Sequence, residues 1–192
     1  MIASLEGSVQ LKTKKYVVVK VDGVGYKVFT SPETLSKLPA AGGIARLFTT
    51  LEVRENAHEL YGFLTNEELE FYETLRTVSG IGPKSAIGIL SLAPVKILAS
   101  AIINKDTTFL TKVPGIGKKT AELVVVELKD KLQELNFAST TSSHDTDLIE
   151  ALTRMGYGVK ESAEALSHVN PSVKNEEERI REALKTLSKS KR

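Results

Sequence analysis

The feature that most limits how this chain can fold is a nine-residue pattern that occurs twice. Val78-Ser79-Gly80-Ile81-Gly82-Pro83-Lys84-Ser85-Ala86 aligns with Val113-Pro114-Gly115-Ile116-Gly117-Lys118-Lys119-Thr120-Ala121, 35 residues further on. Each copy follows an expected helix and opens another, so each reads as a hairpin between two helices. The glycines permit a tight turn, positive φ included, and put no side chain in the way of an approaching group. The isoleucine between them is placed to anchor the hairpin to a core. The helix that starts at once offers free N–H groups and the positive end of its dipole.

Such a helix mouth is a ready anion site. Lys84 in the first copy, and Lys118 with Lys119 in the second, add full positive charges beside it. Ser85 and Thr120 can cap the helix or donate to a phosphate oxygen. The DNA-binding candidates are therefore Gly80, Gly82, Lys84, Ser85, Gly115, Gly117, Lys118, Lys119 and Thr120. Contacts of this kind hold phosphates and read no base edges, so binding should be independent of sequence and steep in salt. Two copies would hold a duplex at two points flanking its minor groove. The plainer alternative is a pair of tight turns between packed helices. Two copies at helix starts, each with lysine, argue against it. A nucleotide-hydrolase phosphate loop is excluded, because it needs Gly-x-x-x-x-Gly-Lys-Ser/Thr and no glycine precedes Lys84-Ser85 or Lys119-Thr120.

Charge follows the same segment. Net charge is only +2. Between Arg76 and Lys131, however, nine basic residues outnumber four acids, whereas Leu64–Leu75 holds four acids and no base. The middle third is the electrostatic candidate for a polyanion. No cysteine is present, so disulfides and thiolate-held metals are excluded, which fits a reducing cytoplasm. The start carries neither a basic n-region nor an apolar run, which argues against a signal peptide, and no stretch is apolar over the roughly 20 residues that a membrane span needs.

The flanking regions supply a scaffold. In residues 1–63, β-branched and aromatic runs at Met1–Val9, Tyr16–Val21, Gly25–Thr30, Ile44–Val53 and His58–Phe63 predict five strands. Ser31-Pro32-Glu33 predicts a short helix to about Lys37. Five strands with that helix between the third and fourth suit an OB-like Greek-key barrel. Thr65-Asn66-Glu67-Glu68 predicts the first of about five helices reaching Leu135. Residues 136–146 read as a flexible linker. Three helices follow: one from about Asp145 with Leu148, Ile149 and Leu152, then Glu161–Val169 and Glu176–Leu187. The class is α+β: a barrel over 1–64, a tandem helix-hairpin-helix domain over 65–135, and a three-helix unit over 147–192 that resembles ubiquitin-associated domains.

Enzyme readings are poorer. The second hairpin resembles that of base-excision glycosylases, in which a lysine at the position of Lys119 can be the nucleophile. A carboxylate should follow a few turns downstream, and Leu135-Asn136-Phe137-Ala138 contains none. His58, His144 and His168 are scattered. No catalytic residue, metal site or cofactor is expected.

Taken in order, these parts resemble the RuvA family, the DNA-binding subunits of the bacterial Holliday-junction branch-migration complex. The resemblance is carried by Met1-Ile2-Ala3-Ser4-Leu5-Glu6-Gly7, by Leu60-Tyr61-Gly62-Phe63, by the paired hairpins, and by Thr120-Ala121-Glu122 running into Glu127-Leu128-Lys129-Asp130. It implies a homotetramer, possibly an octamer, that holds a four-way junction open with the barrels at its centre. It also implies docking of the RuvB ATPase on the C-terminal unit, through exposed apolar residues among Met155, Tyr157, Leu184 and Leu187, and the RuvC resolvase in the same complex. The family's acidic pin maps to Arg54, Glu55 and Asn56. Asparagine stands where a second acid is usual, so weaker central repulsion is expected. The alternative function is a generic duplex-binding repair accessory.

Overall fold

Alternation of buried and exposed residues builds the N-terminal barrel. The computed structural model describes residues 2–135, 137, 143–167, 169 and 175–190. Strands β1 (Ser4–Lys12), β2 (Tyr16–Val21), β3 (Val24–Phe29), β4 (Ile44–Arg54) and β5 (Ala57–Phe63) close in the order β1-β2-β3-β5-β4. The β3–β5 pair is parallel, Val28 opposite Leu60, and the other pairings are antiparallel. Leu5, Val9, Val17, Val19, Val28, Ala45, Leu47 and Leu60 point inward and form the core. Each buried valine or leucine among them contributes about 1.5–3 kcal/mol by leaving water. Closure removes the free sheet edges that would otherwise invite aggregation.

Helix α1 (Pro32–Lys37) lies between β3 and β4 in the chain, as the Ser-Pro-Glu signal predicts. The Ser31 hydroxyl accepts from the Thr34 amide at 3.0 Å. Leu35 and Leu38 join the barrel's core. Strand β1 runs on to Lys12, past the expected end at Val9. A bulge between Val9 and Leu11 lets Leu11 and Lys12 keep pairing with Val18 and Val17.

The chain divides into two compact units, Met1–Ser91 and Leu92–Arg192. The first also contains α2 (Asn66–Arg76) and α3 (Pro83–Leu90). Thr65 caps α2 by accepting from the Glu68 amide, and the Glu68 carboxylate accepts from the Leu64 amide at 3.0 Å. Tyr72 of α2 stacks on Tyr61 of β5 with ring centroids 5.6 Å apart, and meets Phe63 at 5.0 Å. Phe71, Tyr72 and Leu75 are fully buried, so α2 is firmly seated on the barrel.

The second unit holds α4 (Val95–Ile103), a 3₁₀ turn at Leu110–Lys112, and α5 (Lys118–Glu134), followed by α6 (Ser143–Arg154), α7 (Val159–Ser167) and α8 (Glu176–Ser190). Helix α5 buries Ala121, Val124, Val125, Leu128 and Leu132 at helical spacing and packs on α4. Lys105, at φ +61°, ends the α4 turn. The Asp106 carboxylate then accepts from the Thr108 amide at 2.9 Å, a local bond that competes with helix. The second hairpin is accordingly entered from a 3₁₀ turn, where a full helix was expected.

Helices α6, α7 and α8 pack together around Leu148, Ile149, Leu152, Ala165, Leu166, Val169, Ala183 and Leu187. Gly156, at φ +93°, terminates α6. Two expectations change here. Helix α6 opens at Ser143, so the last residues assigned to a linker are helical. Residues 136 and 138–142 of that linker lie outside the described residues, as does His168. Leu187 is buried at 6% exposure and cannot be an exposed docking residue, because so small a unit needs it as core. Met155 is 58% exposed, and Tyr157 and Leu184 are half-buried.

Candidate nucleic-acid interface

The two hairpins share one backbone conformation. Gly80 has φ +84° and Gly115 φ +87°, a left-handed region that side chains rarely adopt. Gly82 (φ −83°, ψ 169°) and Gly117 (φ −83°, ψ 171°) then serve as the N-caps of α3 and α5. Only the first glycine of each pair therefore answers a conformational demand. The second sits in ordinary extended backbone. A Cβ built on Gly82 or Gly117 meets no atom within 4 Å, so a side chain at either position would enter open space beside the start of its helix.

The hydrogen bonds repeat as well. The Ile81 amide donates to Val78 O at 3.1 Å, and the Ile116 amide to Val113 O at 3.0 Å. Ala86 donates to Gly82 O at 2.9 Å, and Ala121 to Gly117 O at 3.0 Å. Ile81 and Ile116 are both buried, anchoring the loops as their position in the motif predicts. The flanking residues are open: Gly80, Lys84, Gly115, Gly117, Lys118 and Lys119 are exposed, and Gly82, Ser85 and Thr120 half-buried.

The helix mouths lack the usual caps. Helices α1 and α2 begin with a hydroxyl cap and an acid in the first turn, and α7 and α8 also carry first-turn acids. Helices α3 and α5 have no side-chain cap bond and no first-turn acid, features that α4 behind Pro94 shares, and they alone among these have a glycine N-cap that follows a left-handed glycine. Ser85 and Thr120 stand third in their helices, too far inside to cap them, which corrects one of their two expected uses. Donation from their hydroxyls to an outside oxygen stays open to them. The first-turn amides of Lys84 and Ser85, and of Lys118, Lys119 and Thr120, have no acceptor within their own helix. Dipole, amides and lysines act in the same direction, toward an anion.

The Glu55-Asn56 pair forms the exposed two-residue tip of the β4–β5 hairpin, with Arg54 opposite Ala57. Arg54 is drawn back along the ribbon to Glu59, with Nη2 3.3 Å from the carboxylate.

One group near the first hairpin has no signature in the sequence. The Arg76 guanidinium, at the end of α2, grips the Glu52 carboxylate of β4 with Nε at 2.8 Å and Nη2 at 3.1 Å. Its Nη1 donates to the Ile81 carbonyl inside the hairpin. The Tyr72 hydroxyl donates to the same carboxylate at 3.0 Å. Hydrogen bonds from Arg76 hold the Glu52 carboxyl below its ordinary range, against the opposing effect of burial. Burial pushes the Tyr72 phenol far upward, so it remains a donor.

A closed five-stranded barrel followed by two glycine hairpins at uncapped helix mouths defines a barrel-plus-tandem-helix-hairpin-helix protein. Residues 1–62 match the family described as RuvA N terminal domain, and residues 72–130 match the SAM-like helix-hairpin-helix tandem. The chain is 40% identical over 189 residues to the "Holliday junction branch migration complex subunit RuvA" of Caldanaerobacter subterraneus subsp. tengcongensis, covering 98% of this chain and all of that protein. It is 41% identical to the protein of that name from Dehalococcoides mccartyi, over 87% of this chain and 88% of the relative. The chain belongs to the RuvA family. No single helix among the described residues is long and apolar enough to cross a membrane.

Proposed function

We propose that this chain binds four-way DNA junctions, holds them open, and serves a branch-migration complex in recombination and repair. The observation that supports this most directly is the pair of matched helix mouths, both stripped of caps and acids and both flanked by exposed lysine. Gly80, Gly82, Lys84 and Ser85 form one phosphate grip. Gly115, Gly117, Lys118, Lys119 and Thr120 form the other. The grips would lie on duplex arms, and Glu55 and Asn56 at the crossover, where the carboxylate repels phosphates and steers strands apart.

The subunit does no chemistry of its own in this reading. A separate ATPase of the RuvB kind supplies the work and docks on the α6–α8 unit, whose exposed Met155 is the leading contact. A homotetramer, alone or as two facing tetramers, would place four barrels about the crossover, and a RuvC-type resolvase would share the complex. The barrel over 1–64, the helical domain over 65–135 and the C-terminal unit over 147–192 are the functional divisions, and the cytoplasm is the compartment.

The test is a titration of four-way junction against linear duplex of the same arm sequence, at matched salt, with the mass of the complex measured in parallel. Tighter binding to the junction by a tetramer supports the reading. Equal affinity for both, with a monomer, sinks it and leaves a generic duplex binder.

A further inference from the structure

The grip of Arg76 on both a barrel strand and a hairpin carbonyl goes beyond fastening a helix. Tyr72, Phe71 and Leu75 already seat α2 on the barrel through buried contacts. Here one edge of the planar fork takes the carboxylate in two bonds while Nη1 reaches on to Ile81 O. Ile81 lies between the left-handed Gly80 and the cap Gly82, so its carbonyl sets where the mouth of α3 stands.

The other end of this tie is equally fixed. Glu52 lies on β4 opposite Glu59, and the ladder continues through Val53–His58 and Arg54–Ala57 to the Glu55-Asn56 tip. Carboxylate, guanidinium and hairpin carbonyl therefore link the β4–β5 ribbon, three residues short of its Glu55-Asn56 tip, to the first hairpin. In the second hairpin the aligned position is Thr111, whose hydroxyl turns back to Thr108 O at 3.1 Å.

We propose that Arg76, held by Glu52, is a positioning residue that fixes the first hairpin against the β4–β5 tip and so sets the preference for a four-way junction over linear duplex. The inference rests on the junction-binding reading above. A linear duplex gives the hairpin freedom to grip wherever phosphates lie. A junction does not: its crossover and its arm phosphates stand at a set separation. A fixed distance between tip and grip favours the junction alone.

The full-length chain carrying Arg76→Ala, Arg76→Lys or Glu52→Gln is titrated by fluorescence anisotropy with a four-way junction and with linear duplex of the same arm sequence. Arg76→Ala should weaken junction binding about tenfold, the equivalent of ~1.4 kcal/mol, and duplex binding less than about threefold. Arg76→Lys keeps the charge but cannot hold a carboxylate and a carbonyl in the same fork, so it should lose selectivity in the same way. Glu52→Gln keeps the shape and the Tyr72 bond, and it tests the tie even if Arg76→Ala fails to fold. In a double-variant cycle, Arg76→Ala should add little to Lys84→Ala and should add fully to Lys118→Ala/Lys119→Ala. Three outcomes overturn the proposal: junction selectivity unchanged in Glu52→Gln, equal losses on both DNAs, or wild-type behaviour in Arg76→Lys, which would make Arg76 a simple charge. A wild-type protein with no junction preference would instead overturn the junction-binding reading itself.

Discussion

The two hairpins have the same backbone and different surroundings. The first is entered from a buried three-turn helix, has its Ile81 carbonyl held by Arg76, and opens α3 with Pro83, which removes one amide donor. The second is entered from a 3₁₀ turn, has threonine where the first has arginine, and opens α5 with two consecutive lysines. One copy is tied at its carbonyl by an outside side chain, and the other carries the extra charge. On the reading proposed above, the repeat divides the work: the first grip would set where the DNA stands, and the second, with its extra lysine, would supply more of the hold.

The sharpest way to break that contrast is to remove the charge on each side. Lys118→Ala/Lys119→Ala should cost more affinity than Lys84→Ala, on the order of 10- to 100-fold against several-fold. The slope of log affinity against log salt should fall by about two phosphate contacts in the first case and about one in the second. Equal slopes would erase the division. The next effect is on stability. Gly115→Ala and Gly80→Ala each force a side chain into left-handed backbone, at about 1–2 kcal/mol, read as a lowered midpoint in denaturant. Gly80→Ala should keep its DNA grip better than Gly115→Ala, because Arg76 still ties Ile81.

A smaller effect distinguishes the two units by pH. Glu52 has its carboxyl held down in the folded state, so its contribution is present above the ordinary value of 4.5 and is lost as pH falls through the lower folded value. The thermal midpoint should therefore drop more steeply below about pH 4.5 in the wild type than in Glu52→Gln. Parallel acid profiles would mean that the Glu52–Arg76 pair adds nothing to stability. The smallest effect concerns the barrel tip. Asn56→Asp should raise junction preference by about two- to threefold by restoring repulsion at the crossover. Unchanged preference would leave the tip an ordinary turn.

The sequence made some of this plain and hid the rest for physical reasons. The five strands were legible because β-branched and aromatic residues cluster in short runs, with Asp22-Gly23 and Pro39–Gly43 breaking the chain between them. The hairpins were legible because Gly-Ile-Gly recurs at two helix starts, although only Gly80 and Gly115 answer a conformational demand. Arg76 and Glu52 were not, since 24 residues separate them and neither strand nor helix periodicity reports a polar pair across elements. The 3₁₀ entry to the second hairpin was missed because Asp106 and Thr108 bond each other locally. Leu187 was misplaced because spacing marks an apolar helix face without saying how much of it a three-helix unit buries.

Among the described residues no atom crowds a Cβ at Gly82 or Gly117, and neither has a positive φ, so pressure to keep glycine there points outside the molecule. A library of variants sorted by cellular abundance would pass small side chains there almost unnoticed. The same library sorted by DNA retention would reject them. The gap between those two rankings, residue by residue, would trace the footprint of the nucleic acid on the protein without a complex ever being solved.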